Sequence, residues 1–152
     1  MFRCLINDGG LKPTLHMTIV RHILETALYV ADLGQSEHFY RDLLGVRTVM
    51  ADGRMRALQL GGGQVLLLFA KGKSIDGEDT PRGRIPGHDG NGRLHLAFAM
   101  DGGEVIAWRA KLAEQGIEII SEVRPEQGGI SLYFHDPDGH VIELATPSIW
   151  NL

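Results

Sequence analysis

The sequence predicts an α+β protein built from two copies of one βαβββ module, whose curved sheets face each other and form a cleft. Two internal repeats support this: the strand-like run at residues 25–30 recurs at residues 95–100, and residues 63–69 recur at residues 139–145. Between the copies, residues 71–92 hold six glycines and two prolines, which is typical of a loop. One copy alone cannot bury both faces of its sheet, so pairing of the two copies gives the duplication a physical reason.

The composition is that of an ordinary globular protein, with 152 residues, 43% hydrophobic and 22% charged. The net charge of −4, without a basic run, argues against nucleic acid or an anionic membrane surface as a partner. The longest apolar run, residues 65–70, is too short to span a bilayer. Cys4 is the single cysteine, so neither an internal disulfide nor a thiolate metal cluster is expected. With no apolar signal region after the N-terminus, the expected compartment is the cytoplasm.

The first half of the chain divides into an extension and the first module. Residues 1–16 show no periodicity and are predicted to lie outside the core, with Met17 as the natural start and no function for Cys4. The first module spans residues 17–70. It begins with an alternating strand at residues 23–30 and continues with a helix that follows Asp32 and ends at Gly45. Three short strands are predicted around residues 47–50, 56–60 and 65–69.

The second half repeats this order. Residues 71–92 are the predicted linker; a loop this long is usually a lid, a binding loop or a disordered segment. The second module spans residues 93–147, followed by a tail at residues 148–152. Its elements are a strand at residues 93–100, a helix at residues 104–115, and strands at residues 118–123, 130–135 and 140–146. Residues 136–139, Asp-Pro-Asp-Gly, predict a tight hairpin turn between the last two strands.

Three ionisable residues are predicted to line the cleft: Glu25, His95 and Glu143. Each lies on the strand face away from the leucines that pack on the helix, and each has an alanine two positions later, which leaves a concavity. Two carboxylates in one cleft repel each other, and a divalent cation offsets both the repulsion and the desolvation cost. One imidazole and two carboxylates leave coordination positions open for water or substrate, as in catalytic sites. This oxygen-rich set favours Mn²⁺, Fe²⁺, Mg²⁺, Ni²⁺ or Zn²⁺ over copper.

Each of these residues also has an ordinary structural interpretation. Taken singly, Glu25 is typical of a solvent-facing strand position, and His95 of a hydrogen-bonded structural histidine. The equivalent positions of Glu25 and His95 in the two copies favour the metal site. Among the other histidines, His88 in the long loop could close over a ligand, but it is interpreted as a solvated loop residue. His135 and His140 are interpreted as residues that contact water beside the predicted turn.

Two segments carry motifs of a known superfamily. The first motif is Glu25-x-x-Leu28-x-Val30-x-Asp32-Leu33 followed by Phe39-Tyr40-x-x-Leu43-Leu44-Gly45, and the second is Tyr133-Phe134-x-Asp136-Pro137-Asp138-Gly139-x-x-Ile142-Glu143-Leu144. They resemble the opening and closing segments of the vicinal oxygen chelate superfamily, which includes glyoxalases, fosfomycin and bleomycin resistance proteins, extradiol dioxygenases and epimerases. The resemblance covers roughly residues 18–147.

The resemblance implies a metal inside the cleft, with ligand positions on the first and last strands of each module. These positions hold Glu25, Leu67, His95 and Glu143. Leu67 cannot bind a metal, so the resemblance implies a three-residue site, in which Glu25 and Glu143 also act as catalytic residues. Many relatives have histidine at the position of Glu25, and some glyoxalases have glutamine there.

Two tyrosines are the expected substrate-binding residues. Tyr29 stands where glutathione-using glyoxalases resemble this chain but carry an arginine, which makes glutathione a poor fit. Tyr133 shares a strand face with Ser131 and His135, and it could line the pocket as a donor or a stacking surface. Packing of Tyr133 on neighbouring strands is an equally good interpretation.

Three functions remain open from the sequence. The first is a metalloenzyme in which one divalent ion (Zn, Ni, Mn or Fe) chelates two adjacent oxygens of a small substrate, with lyase or isomerase chemistry favoured over dioxygen activation. The second is a metal-independent protein that binds or sequesters a small molecule such as a drug. The third is an interaction module. Exposed strand edges favour a homodimer, and the cleft could form within one chain or between two.

Overall fold

The computed structural model describes residues 19–152, in which two four-stranded sheets each carry one α-helix. The expectations for residues 1–16, Cys4 and Met17 lie outside the described residues. The strands are β1 (Glu25–Val30), β2 (Arg47–Ala51), β3 (Met55–Gln59), β4 (Val65–Ala70), β5 (Glu78–Thr80), β6 (Gly83–Ile85), β7 (His95–Ala99), β8 (Ser121–Val123), β9 (Ser131–His135) and β10 (Val141–Ala145). The helices are α1 (Leu33–Leu44) and α2 (Val105–Glu114).

Both sheets have the same topology, which confirms the predicted pair of βαβββ modules. The strand order is β1-β4-β3-β2 in the first sheet and β7-β10-β9-β8 in the second. In each sheet the first and last strands of the module pair in parallel and the other neighbours are antiparallel. The first and last strands therefore lie side by side, and this brings the two predicted ligand positions of each module next to each other.

Local sequence signals explain where α1 begins and ends. Asp32 caps the helix, since its carboxylate accepts a hydrogen bond from the backbone N–H of Gln35. Gly45 ends it with φ of 66°, a left-handed conformation that costs glycine little, and its N–H donates to the carbonyl of Arg41. No helix among residues 19–152 is long and apolar enough to cross a membrane.

One hydrophobic core joins the two modules. It contains the helix-facing residues of both sheets together with residues of α1 and α2; its most deeply buried members include Val30, Leu43, Leu58, Leu66, Leu68, Leu112, Leu132, Phe134 and Ile142. The period-two pattern of the strands places these side chains on one face and the predicted site residues on the other. Because the core lies on the helix side, the opposite face of each sheet remains available for a site.

Polar contacts from the β9–β10 turn fasten the second module to the first. The hydroxyl of Tyr40 in α1, which is fully buried, donates to Oδ2 of Asp136 at 2.7 Å. Oδ1 of Asp138 accepts from the backbone N–H of Ala31 at 2.8 Å and from Nζ of Lys71 at 2.7 Å. The predicted turn forms, with Gly139 at φ of 78°. Its two aspartates bridge the modules in addition to shaping the turn.

Residues 71–92 fold back over the open face of the first sheet. Strands β5 and β6 form a short hairpin, and Glu78 of β5 makes an ion pair with Arg54 at 2.7 Å. Gly90 packs on the ring of Tyr29 so closely that a Cβ at this position would overlap the ring. The segment therefore forms one wall of a cavity on the first sheet.

Candidate metal and ligand site

His95 and Glu143 meet on the open face of the second sheet. His95 opens β7 and Glu143 lies in β10, and the parallel register pairs Val141 with His95 and Glu143 with Ala97. The two side chains lie two positions out of register on one face, with Nε2 of His95 3.3 Å from Oε2 of Glu143. The His95 side chain is 54% exposed, whereas that of Glu143 is 6% exposed. The pair thus joins a buried carboxylate to an accessible imidazole.

The donor atoms of this pair suit a divalent cation. Oε1 of Glu143 is buried and has no hydrogen-bond partner among residues 19–152, which is costly for a carboxylate oxygen. Nδ1 of His95 lies 3.1 Å from the carbonyl oxygen of Val141. Since a carbonyl only accepts, Nδ1 is the donor in this contact, so Nε2, beside the carboxylate, is the nitrogen that faces a bound cation. A ring held by one nitrogen and free at the other is the usual arrangement of a metal-ligating histidine.

Tyr133 adjoins this pair. It is the direct cross-strand neighbour of Glu143 between β9 and β10, and its ring stacks on His95 with the centroids 6.2 Å apart. Burial raises the pKa of the Tyr133 phenol, and the Glu143 carboxylate raises it further. The phenol therefore stays protonated at neutral pH and can donate a hydrogen bond.

Glu25 lies on the first sheet, away from His95 and Glu143. It opens β1, is exposed, and lines a cavity of about 770 Å³ on the open face of that sheet. Within residues 19–152 of one chain, no three His, Cys, Asp or Glu side chains lie close enough together to hold a metal ion. A single chain therefore brings two of the three predicted ligands together and leaves Glu25 apart.

Tyr29 and His88 form a polar pair at the wall of this cavity. The Tyr29 hydroxyl and Nδ1 of His88 are hydrogen-bonded at 2.8 Å, and Phe69 packs against both rings. Burial raises the pKa of Tyr29, and the charge of Asp89 adds to this. The interpretation of His88 as a solvated loop residue is wrong: it is half-buried and lines the cavity. Its position in a glycine-rich loop gave no sign of this packing.

His140 is a second residue whose role the sequence reasoning missed. It was expected to contact water, but it is 1% exposed. Its Nδ1 accepts from the backbone N–H of Leu94, and Nε2 donates to the carbonyl of Tyr29 at 3.0 Å. His140 thereby links the residue before His95 to the strand that carries Glu25. A signal was present, since His140 falls at period two with the core residues Ile142 and Leu144.

Comparison with known proteins identifies the family. The Glyoxalase/Bleomycin resistance protein/Dioxygenase superfamily matches residues 21–144. The chain belongs to this superfamily, as its resemblance to the vicinal oxygen chelate proteins predicted. It is 32% identical to the metallothiol transferase FosB of Staphylococcus epidermidis over 89% of this chain and 86% of the relative.

Solved structures agree with this assignment. The lactoylglutathione lyase of Agrobacterium tumefaciens superimposes with a TM-score of 0.79 and 31% identity, over 93% of this chain and all of that one (100%). The fosfomycin resistance protein FosX of Listeria monocytogenes, solved with Mn(II) and 1S,2S-dihydroxypropylphosphonic acid, superimposes with a TM-score of 0.61 over 84% of this chain and 90% of its own. At 23% identity, this last likeness shows the fold alone.

Proposed function

We propose that this protein is a metal-dependent enzyme acting on a small molecule, in which His95, Glu143 and the Glu25 of a second copy of the chain hold one divalent cation. The observation that carries the proposal is the buried, unpartnered Oε1 of Glu143 beside a histidine whose Nδ1 is held by a backbone carbonyl. A cation bound there would satisfy Oε1, which no protein group does among the described residues. Enzymatic function is supported by relatives that are named as a transferase and a lyase.

A homodimer explains why Glu25 lies apart from the other two ligands. The open faces of both sheets carry the predicted ligands, and apolar residues remain exposed around the cavity near Glu25; they are Val49, Met50 and Ile85, at 51%, 58% and 43% exposure. A second copy that lays its second sheet against this face would cover them and bring its His95 and Glu143 towards Glu25. Two-fold symmetry would then create two equal sites.

The residues around the site suggest which group would polarise the substrate, which would donate a hydrogen bond and which would transfer a proton. A divalent cation would supply Lewis-acid polarisation of two adjacent substrate oxygens. Tyr133 would donate a hydrogen bond to one of them, because its phenol stays protonated. Glu143 and Glu25 would each offer a carboxylate oxygen for proton transfer, which fits lyase or isomerase chemistry. Among Zn, Ni, Mn and Fe, the Mn(II) bound to FosX makes manganese the first ion to test. With one cysteine in the sequence, the cytoplasm remains the proposed location.

Metal analysis of four proteins tests the ligand set. We expect about one equivalent of metal per chain in the wild type and in Glu114→Gln, an exposed glutamate of α2 that serves as a matched control. Glu25→Gln and Glu143→Gln should each lose it. Metal retained by both ligand variants, while they remain folded, would overturn the assignment.

Mixing the two ligand variants tests whether the site lies between chains. After unfolding and refolding together, half of the dimers contain one Glu25→Gln and one Glu143→Gln chain, and each of these has one intact site. We therefore expect metal at about a quarter of all sites in the mixture, although neither variant binds metal alone. A mixture that stays free of metal would place all three ligands within one chain.

A metal-independent binding protein is the second candidate, because the cavity beside Glu25 is large enough for a small molecule at about 770 Å³. No metal in the wild type, even after reconstitution with each of the four ions, would favour this function.

A further inference from the structure

We propose that the cavity on the first sheet binds an uncharged apolar or aromatic group of the substrate and excludes an anionic one. This inference rests on the proposed function, since it describes the part of the substrate that extends from the two chelated oxygens. It gives a substrate class: a neutral small molecule that carries two adjacent oxygens next to a hydrocarbon or aromatic group.

The floor of the cavity is apolar across three neighbouring strands. The register places Ala27, Leu67 and Ala57 in one row across β1, β4 and β3, and Tyr29, Phe69 and Met55 in the next row. A large side chain between two alanines leaves depressions on both sides of Leu67. These depressions fit flat or branched apolar groups, whose removal from water is favourable.

Leu67 makes the centre of the cavity floor apolar. It occupies the last-strand position that the superfamily resemblance gives to a metal ligand, and the cavity has a hydrocarbon there instead. Phe69, two residues later in the same strand, is 6% exposed and packs on Tyr29 and His88. The strand that could have carried polar ligands is therefore an apolar surface in this chain.

The cationic side chain that lines the cavity is already neutralised. Arg54 makes an ion pair with Glu78 at 2.7 Å, and its guanidinium lies 5.9 Å from the centre of the Phe69 ring. Arg47 lies on the outer strand β2 and donates to the side chain of Gln59 at 2.8 Å. A phosphonate or carboxylate entering this cavity would lose its hydration without gaining a free cation, so its burial there is unfavourable.

The second sheet does not supply a free positive charge for such an anion either. By strand alternation and register, the residues of β7–β10 on the open face around His95 and Glu143 are alanine, valine, serine, tyrosine and histidine, without lysine or arginine, and Arg93 lies outside β7. With Glu25 on the first sheet and Glu143 on the second, the ionised groups are acidic, and one cation is needed to balance them. The remaining polar contact in the cavity is the Tyr29–His88 pair, which suits one hydroxyl or carbonyl group.

Calorimetric titration with a matched pair of probes tests the proposal. The neutral probe is 1-phenyl-1,2-ethanediol, which combines an aromatic ring with two adjacent oxygens, and the anionic probe is benzylphosphonic acid. Both are titrated into the full-length wild type, with Mn²⁺ and after removal of metal by EDTA. Leu67→Asn introduces a polar group of similar size into the cavity floor. Ile106→Asn makes the same kind of change on α2, where Ile106 is 78% exposed, and serves as the control.

We expect the diol to bind the metal-free protein at least about 10-fold more tightly than the phosphonate does. Leu67→Asn should weaken diol binding by about 10-fold, whereas Ile106→Asn should leave the affinity for the diol unchanged. Equal or tighter binding of the phosphonate to the metal-free protein, or an unchanged affinity in Leu67→Asn, would overturn the inference. The comparison with Mn²⁺ addresses the proposed function separately. If Mn²⁺ does not strengthen diol binding, chelation by the metal fails, whereas the metal-free titrations still decide the nature of the cavity.

Discussion

Replacing Tyr40 by phenylalanine removes one buried oxygen that joins the two modules. Tyr40 is fully buried, and its hydroxyl donates to Oδ2 of Asp136, which is itself 5% exposed. The backbone N–H groups of Asp138 and His140 both donate to Oδ1 of Asp136. Neither of them can therefore replace the Tyr40 hydroxyl as the donor to Oδ2. Burial and the Asp136 carboxylate raise the pKa of the Tyr40 phenol far above neutrality, so it donates at every working pH.

The expected loss follows from the kind of bond that is broken. A hydrogen bond to a charged group contributes about 1.5–3 kcal/mol, and a buried carboxylate oxygen left without its donor belongs in this range. We therefore expect Tyr40→Phe to lower the free energy of unfolding by about 2 kcal/mol and the melting temperature by about 5 °C. Equilibrium unfolding in urea, with the slope m compared between the proteins, gives this value.

A matched control distinguishes the effect of breaking the Tyr40–Asp136 hydrogen bond from the effect of removing any tyrosine hydroxyl. Tyr29→Phe removes a half-buried hydroxyl whose partner is Nδ1 of the His88 ring, not a carboxylate, and we expect it to cost about 1 kcal/mol or less. Combining Tyr40→Phe with Asp136→Asn should cost less than the sum of the two single changes, because both remove the same contact. A loss below about 0.5 kcal/mol for Tyr40→Phe, or full additivity, would show that this bond does not stabilise the joint between the modules.

Two further predictions concern the same face of the fold. Burial alone would raise the pKa of Asp138, but hydrogen bonds from Lys71 and a backbone N–H hold it below the usual value. Its stabilising contribution is therefore complete above the unfolded-state pKa and is lost as the pH falls through the lower folded-state pKa. Urea unfolding should find Asp138→Asn less stable than wild type at pH 7, and this difference should shrink as the pH is lowered into the acid range. A difference independent of pH would contradict this. Gly90→Ala should displace the loop from the Tyr29 ring, at about 1–3 kcal/mol, and speed proteolytic cleavage within residues 71–92. Gly53→Ala, which meets no atom within 4 Å, is the control, and equal cleavage of both variants would refute the prediction.

Most of the fold could be predicted because its signals are local. The alternation in β1 and β10 separates core residues from site residues, and Asp32 and Gly45 mark the ends of α1. The repeat of one module then predicts the second sheet from the first. The superfamily motifs agree with these signals, and the limits at residues 17–70 and 93–147 remain the proposed boundaries of the modules. The same alternation placed His95 and Glu143 on one face, where the structure brings them together.

The sequence by itself determined the elements of the two modules and the faces on which the site residues lie, because periodicity and capping act between residues close in the chain. It did not predict strands β5 and β6, which lie in the segment interpreted as a linker loop. Tertiary structure alone decided which distant groups meet. It buried His140 between Leu94 and Tyr29, placed His88 against Phe69, and left Glu25 on a different sheet from His95 and Glu143 within one chain. These contacts depend on how the two sheets pack on their shared core, and no spacing along the chain encodes that arrangement.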